Sequence, residues 1–373
     1  MKPSLSGQQI RLLRMKAQRL APIDEARPDS PHRSVQAVVG VQAQDLPAAL
    51  LSVRARSLGL TAAAVERARL EQRELVWTWC LRGTLHLVAA EDARWLLPLL
   101  SPGLIAAHQT RYRQLGWDEN NSQAGLRMLQ AALEKQATLT RPEISALLKA
   151  NQLPFEGQAT VHLLYRAALE GLLCAGPDQG RKPAYVSFRT WVGELQPLPR
   201  EEALARLARR YLEAYAPARP EDLASWSGLK TSEARQAWAL IASQLVEVEA
   251  AGQACWMLES QMPWLEQPLP TSPLVRLLPR FDTYLLGYAS RDAAVNPVHV
   301  RRIHPGGGII HPVLLVDGQA QATWTMQRKK GRLEVVVEPF ERLPQALSPL
   351  IEAEVSDVAR FLGMTSEYKV ETA

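Results

Sequence analysis

The feature that most constrains this chain is an order of local signals that occurs three times: short helices, then a hairpin. In the first pass Ile10, Leu13, Ala17 and Leu20 keep helical spacing. Val35, Val38 and Val39 mark one apolar face of a second helix. A third is expected from Pro47 to about Ser57, stopped by Gly59, and a fourth from the Thr61 cap to about Arg69. Leu75–Cys80 and Gly83–Ala89, rich in Trp and β-branched residues, then read as a hairpin. The second pass has helical spacing over Gln123–Gln136 and a capping box, Thr140-Arg141-Pro142-Glu143. The helix Gln158–Glu170 follows, and then strands Leu172–Ala175 and Ala184–Phe188 around Asp178-Gln179-Gly180-Arg181. In the third, Glu201–Tyr215, Pro220–Trp226 and Thr231–Gln244 precede Val246–Ala250 and Cys255–Leu258, paired across Gly252. A pattern that returns every 70–100 residues or so is a repeat architecture.

This reading predicts a mainly α chain with α+β modules: three tandem winged helix-turn-helix domains over 1–118, 119–196 and 197–262. Pro263 to Pro273 holds four prolines and reads as a linker. Beyond it, over 263–373, the pattern turns to strands. Val313–Val316 and Gln319–Thr325 flank Asp317-Gly318, a type I′ turn signal. Leu333–Glu338 follows the turn Lys329-Lys330-Gly331, and a last helix starts at Ser348-Pro349 with Ile351, Val355, Ala359 and Leu362 on one face. A small, mostly β unit is expected there.

Composition narrows the function classes. The content, 47% hydrophobic and 22% charged, is that of a globular protein, and no run approaches the roughly 18 apolar residues a membrane helix needs. Met1-Lys2-Pro3-Ser4 leads straight into an amphipathic helix without a secretory apolar region, and Cys80, Cys174 and Cys255 are isolated. A zinc site and a disulfide framework are therefore not expected, and a reducing bacterial cytoplasm is. The formal charge of +5, mostly arginine, agrees with a partner rich in phosphate. Tandem helix-turn-helix units with such a surface point to duplex DNA, although winged helices also serve as protein scaffolds.

Within the first module, Gln42 falls on the apolar face of the Val35 helix, and Gln44 follows two residues later. A carboxamide there must find hydrogen-bond partners or carry a desolvation cost of about 1–3 kcal/mol. Residues two apart do not face each other on a helix, so the pair converges only where the helix ends. Asp45 as N-cap and Pro47 in the first turn of a new helix supply that ending. Such a pair is either a polar helix terminus or a site. Glutamine has no useful pKa and takes no proton from water. It does hold a water and stabilise nearby charge, which suffices when the leaving group is already activated. A purine alkylated at N7 or N3 is such a group, because the base is already cationic and the bond to deoxyribose breaks through an oxocarbenium-like transition state.

The triplet in Val41-Gln42-Ala43-Gln44-Asp45 resembles that of the AlkZ-like winged-helix DNA glycosylases. So do Trp77-Thr78-Trp79-Cys80-Leu81-Arg82-Gly83-Thr84-Leu85-His86-Leu87-Val88, the block Leu278–Gly287 around Arg280-Phe281-Asp282, and Val316-Asp317-Gly318. The resemblance runs in order along nearly the whole chain. It implies three winged helices and a C-terminal β-barrel around a DNA channel. It also implies monofunctional removal of N7-alkylpurines, including unhooking of interstrand crosslinks, by a monomer without metal or cofactor. Gln42 and Gln44 would position the attacking water and stabilise the sugar cation.

Candidate DNA contacts are Arg82 and His86 on the first hairpin, His162 and Arg166 on the helix side away from Val161, Leu164 and Ala168, and two basic loops. The resemblance implies that a barrel hairpin engages DNA opposite the glutamines. Arg328-Lys329-Lys330-Gly331-Arg332 matches it best, and Arg301-Arg302-Ile303-His304 before Gly306-Gly307-Gly308 competes. His86 meets either a phosphate or a structural partner, Asp282 is a catalytic helper or a cap, and Trp77 and Trp79 read as core. Two other functions fit the residues taken alone: a non-catalytic DNA-binding regulator, and a resistance protein that sequesters a genotoxic small molecule.

Overall fold

The computed structural model describes residues 2–21 and 28–371. Compactness divides the chain into two units, and neither is one run of sequence. One comprises Met1–Glu66, Leu204–Trp226 and Lys230–Ala373; the other comprises Arg67–Ala203 with Ser227–Leu229.

In the first unit, Ser6 opens the helix Gly7–Ala17 through a reciprocal capping box with Gln9, leaving Ile10, Leu13 and Ala17 to face the core. Ahead of it, Ser4–Leu5 pairs in parallel with Leu245–Ala250, which forms the expected hairpin with Gln253–Leu258. Nothing in the N-terminal sequence announced that strand, whose partner lies about 240 residues away. The C-terminal sheet has the order Val275–Leu278, Val313–Val316, Gln319–Lys329, Arg332–Pro339, Thr365–Val370. Asp317 (φ 49°) and Gly318 (φ 75°) make the expected type I′ turn, and Lys330 (φ 46°) and Gly331 (φ 82°) make another of the same hand. The order is linear, with Val275–Leu278 and Thr365–Val370 at the edges, so among the described residues the sheet is half-barrel-like and pairing does not close the barrel that the resemblance implied. The helix Ser348–Phe361 buries Ile351, Val355 and Ala359. Met15, Leu20, Leu278, Tyr284, Val313 and Leu315 share one apolar core, joining the first helix to this sheet.

In the second unit the hairpin Leu75–Trp79/Leu85–Ala89 forms with Trp77 opposite Leu87. Trp77 also pairs with Ala175, which joins the hairpin to Leu173–Ala175, Ala184–Ser187 and Leu139–Thr140. Two hairpins expected in separate modules thus share one sheet. An 18-residue helix, Ala90–Ala107, runs through Pro98 and Pro102, and no sequence signal had placed it. Helices Glu119–Lys135, Arg141–Ala150 and Gln158–Leu169 follow, the second opened by the Thr140–Glu143 box with Thr140 N–H donating at 2.7 Å. On Gln158–Leu169 the buried stripe is Leu163, Leu164, Ala167 and Ala168, and Val161 is exposed. The face assigned from spacing was therefore rotated.

Candidate active site

The glutamine pair lies in the first unit, on non-helical backbone. The helix that precedes it is short, Pro31–Gln36, capped by Ser30 with Pro31 in its first turn. It stops because Val39 (φ 57°) and Gly40 (φ 108°) take left-handed conformations, with the Gly40 N–H returning to the Val35 carbonyl at 3.0 Å. Gln42 is therefore not a position on a helix face, as the spacing suggested, but the second residue of the strand Val41–Gln42. The strand ends at Gln42 and the chain bends at Gln44, so the pair stands where a short strand turns toward the next helix. Gln42 is 8% exposed and Ala43 fully buried, while Gln44 is at the surface. Asp45 then caps the next helix, Leu46–Arg56, accepting from Ala48 N–H at 3.2 Å, with Pro47 in the first turn as expected.

Both sides of this junction are held from elsewhere in the same unit. Tyr215 Oη donates to the Val38 carbonyl at 2.9 Å, and Arg210 donates at 2.6 Å to the Gln36 carbonyl, which also accepts from the Val39 N–H at 3.0 Å. The helix after the pair is fixed by two buried arginines. Arg54 donates to the Leu277 carbonyl at 2.7 Å and to the carboxylates of Glu354 and Asp357. Arg56 forms a bidentate pair with Asp282 (2.7 and 2.8 Å), both side chains being completely buried. Ser52 Oγ and Tyr284 N–H also donate to that carboxylate, at 2.6 and 2.9 Å. Burial pushes the Asp282 pKa up, but the Arg56 charge and these hydrogen bonds outweigh it and hold the group below the usual carboxylate value. Asp282 also caps the helix Thr283–Leu286. Its role is that of cap and anchor.

The sequence-predicted basic residues divide sharply. His86 is 2% exposed and donates from Nδ1 to the Thr84 carbonyl at 2.9 Å. Burial first, and the charge of Arg82 second, push its pKa down to about 3, so it is a neutral core side chain and not a phosphate contact. Arg166, expected to face DNA, is buried, with a bidentate bond to Glu119 (2.7 and 3.0 Å) and a second carboxylate, Glu170, at 2.8 Å. His162 is half-buried among aromatic rings, 6.0 Å from His108 and 6.2 Å from Tyr112. Burial, with His108 and Arg111 adding to it, lowers its pKa. Arg82 is half-buried on the hairpin tip in a left-handed conformation (φ 54°), and Gly83 beside it leaves no room for a Cβ against Tyr165. Trp79 packs edge-on against the same Tyr165, in the core role expected of it. In the first unit, by contrast, Arg301, Arg302, Arg328, Lys329 and Lys330 are all exposed, Lys329 within 2.6 Å of Glu334. His304 is half-buried, and burial followed by the charge of Arg291 takes its pKa down to about 4. A cleft of about 530 Å³ near the Pro31–Gln36 helix adds Arg19, Arg33 and Arg210 against Glu213. Among the described residues no group of three or more His, Cys, Asp or Glu is placed to hold a metal ion, and no helix is long and apolar enough to cross a membrane.

A family model described as DNA glycosylase AlkZ-like matches residues 35–361, a span that begins at Val35 and includes both glutamines. The chain belongs to the AlkZ-like DNA glycosylases. It is 30% identical over 384 aligned positions to the interstrand DNA cross-link repair glycosylase of Streptomyces sahachiroi, covering 96% of this chain and 97% of that one. The solved structure of the S. sahachiroi DNA glycosylase AlkZ superposes with a TM-score of 0.84 at 27% identity, over 99% of this chain and 100% of that one. The AlkZ-like assignment decides between enzyme and non-catalytic regulator in favour of the enzyme. Sequence reasoning missed the residues that hold the segments on either side of the glutamine pair of this glycosylase, namely Arg54, Arg56, Arg210 and Tyr215. Two arginines in the last turn of a helix ordinarily read as favourable dipole contacts, and only the carboxylates that meet them reveal the buried role.

Proposed function

We propose that this glycosylase hydrolyses the N-glycosidic bond of N7-alkylated purines in duplex DNA, including those that tether the two strands, and that Gln42 and Gln44 are its catalytic residues. The observation that carries the reading is the setting of the pair: two amides where a short strand turns into the next helix, one buried and one at the surface, beside a helix braced by buried ion pairs. The cross-link repair activity named for the S. sahachiroi relative supports the substrate class. The three helix–helix–hairpin modules are taken as winged helices presenting a basic surface to the duplex, and the enzyme as a monomer.

The chemistry asks little of the side chains. The purine alkylated at N7 already carries the positive charge that an ordinary base would need from an acid. As the bond from C1′ to N9 lengthens, its electron pair neutralises the base and the charge moves to the sugar. Carbonyl oxygens of Gln42 and Gln44 then face a developing oxocarbenium and orient water toward C1′; the water's proton leaves to solvent after attack. The products are free modified base and an abasic site. An amide that neither gains nor loses a proton near neutral pH makes the chemical step insensitive to pH there.

Base release from duplex containing 7-methylguanine, with enzyme in excess, tests this. Loss of one preorganised polar partner costs about 10²–10³ in rate, and this is the expected effect of Gln44→Ala, whose exposed side chain is removed without disturbing the core. Gln44→Ala acting as fast as wild type overturns the assignment of the pair; no release by wild type from methylated or crosslinked duplex overturns the substrate class.

A further inference from the structure

Among the described residues Val298 is the most exposed large hydrophobic side chain, at 82% of its surface, and the next, Leu58, reaches 54%. A lone exposed valine is unremarkable. This one is presented on a rigid mount. Pro297 occupies the first position of its turn, Asn296 Oδ1 accepts the Val298 N–H at 3.1 Å, and the His299 N–H returns to the Asn296 carbonyl at 2.9 Å. Behind the tip, Val300 and Ile303 enter the apolar core of the unit. The His299 ring stacks on Phe340 with centroids 4.7 Å apart, and the Arg302 guanidinium lies 4.8 Å from the same ring. Glu341 meets His299 at 3.5 Å.

Two exposed cations, Arg301 and Arg302, lie near the tip together with one carboxylate, Glu341, which faces His299. Both arginines stand on the short helix Val300–Ile303 that directly follows the tip, Arg302 also donating to the Phe340 carbonyl at 3.5 Å. A tip with an apolar point and flanking cations does not suit a protein core or a neutral ligand. It suits a polyanion with an apolar stack inside it. We propose that Val298 is a wedge that enters the base stack of bound duplex DNA, while Arg301 and Arg302 take the phosphates on either side. Apolar side chains that part base steps act in this way, and the bend they cause brings more of the backbone onto the protein. The inference rests on DNA being the substrate but not on the identity of the lesion or the role of the glutamines.

The test uses full-length protein and undamaged duplexes carrying 2-aminopurine, whose fluorescence rises on unstacking, at successive positions. Wild type is expected to raise the signal at one step; Val298→Leu keeps the rise, and Val298→Ser loses it and binds about tenfold more weakly. Arg301→Ala with Arg302→Ala should lower the slope of log K against log salt by about 1.8, two phosphates at 0.9 each. Near-UV circular dichroism verifies that the variants fold. An unchanged rise in Val298→Ser overturns the wedge, as does a wild type that unstacks no step. So does a dimer in sedimentation that Val298→Ser dissociates, since the tip would then be a contact between copies. Because the duplex is undamaged, these outcomes are independent of base release, which alone decides the catalytic assignment.

Discussion

Asp282→Ala separates an anchor from a catalytic group, and its size follows from the contacts. The carboxylate accepts four hydrogen bonds: Ser52 Oγ and Arg56 Nη1 on Oδ2 at 2.6 and 2.8 Å, Arg56 Nη2 and Tyr284 N–H on Oδ1 at 2.7 and 2.9 Å. Both side chains of the pair are completely buried. Removing the carboxylate leaves the Arg56 charge buried, with only the Ser52 carbonyl and hydroxyl, Gln18 Oε1 and Thr283 Oγ1 as neutral acceptors. Breaking a buried pair from one side costs about 3–5 kcal/mol, whereas replacing both partners by apolar residues of similar volume is often nearly neutral. Asp282→Ala should therefore lose about 3–5 kcal/mol in urea denaturation, and Arg56→Met with Asp282→Leu should recover most of it. Amides of Leu46–Arg56 should exchange faster in the single variant, because the last turn of that helix is what the pair holds. Asp282 also makes the loss depend on pH. Its folded pKa lies below the unfolded value of about 3.9, so its contribution is complete above that value and disappears as pH falls through the folded one. The reasoning is refuted if Asp282→Ala keeps wild-type stability and exchange yet releases no base, for the carboxylate would then act on DNA.

Two further outcomes are expected. His86, held neutral down to about pH 3 in the fold and titrating near 6.5 when unfolded, takes up its proton only in the unfolded chain between those values. Stability of its unit should fall by up to about 1.4 kcal/mol per pH unit as pH drops from 6.5, and the urea midpoint of His86→Gln should lack that slope. At the Arg328–Arg332 turn, Arg328→Ala and Lys330→Ala should each lower the salt slope of duplex binding by about 0.9, while Lys329→Ala, already paired with Glu334, should lower it less. Equal slopes in all three would remove that hairpin from the DNA interface.

Local signals with a local cause were legible. The capping box at Thr140, the Asp45 cap, the Asp317-Gly318 turn and the apolar face of Ser348–Phe361 all depend on residues within a few positions of each other. Periodicity misled where one residue broke it. Val35, Val38 and Val39 keep helical spacing, but the left-handed Val39 and Gly40 end the helix first, and Gln42 moves from helix to strand. On Gln158–Leu169 the spacing put Arg166 at the surface, because its i+4 partner Glu170 reads as an ordinary surface pair and the bidentate partner Glu119 lies 47 residues away.

The sequence by itself determined where most elements begin and end, which family the chain resembles, and which two amides to examine. Tertiary structure alone decided that the N-terminal residues pair with a strand about 240 positions away, that two hairpins share a sheet, and that His86 and Arg166 serve the core. The physical reason is one of range. A cap or a turn satisfies its hydrogen bonds within a few residues, whereas a buried charge or a sheet edge is satisfied only by a partner that folding brings from elsewhere.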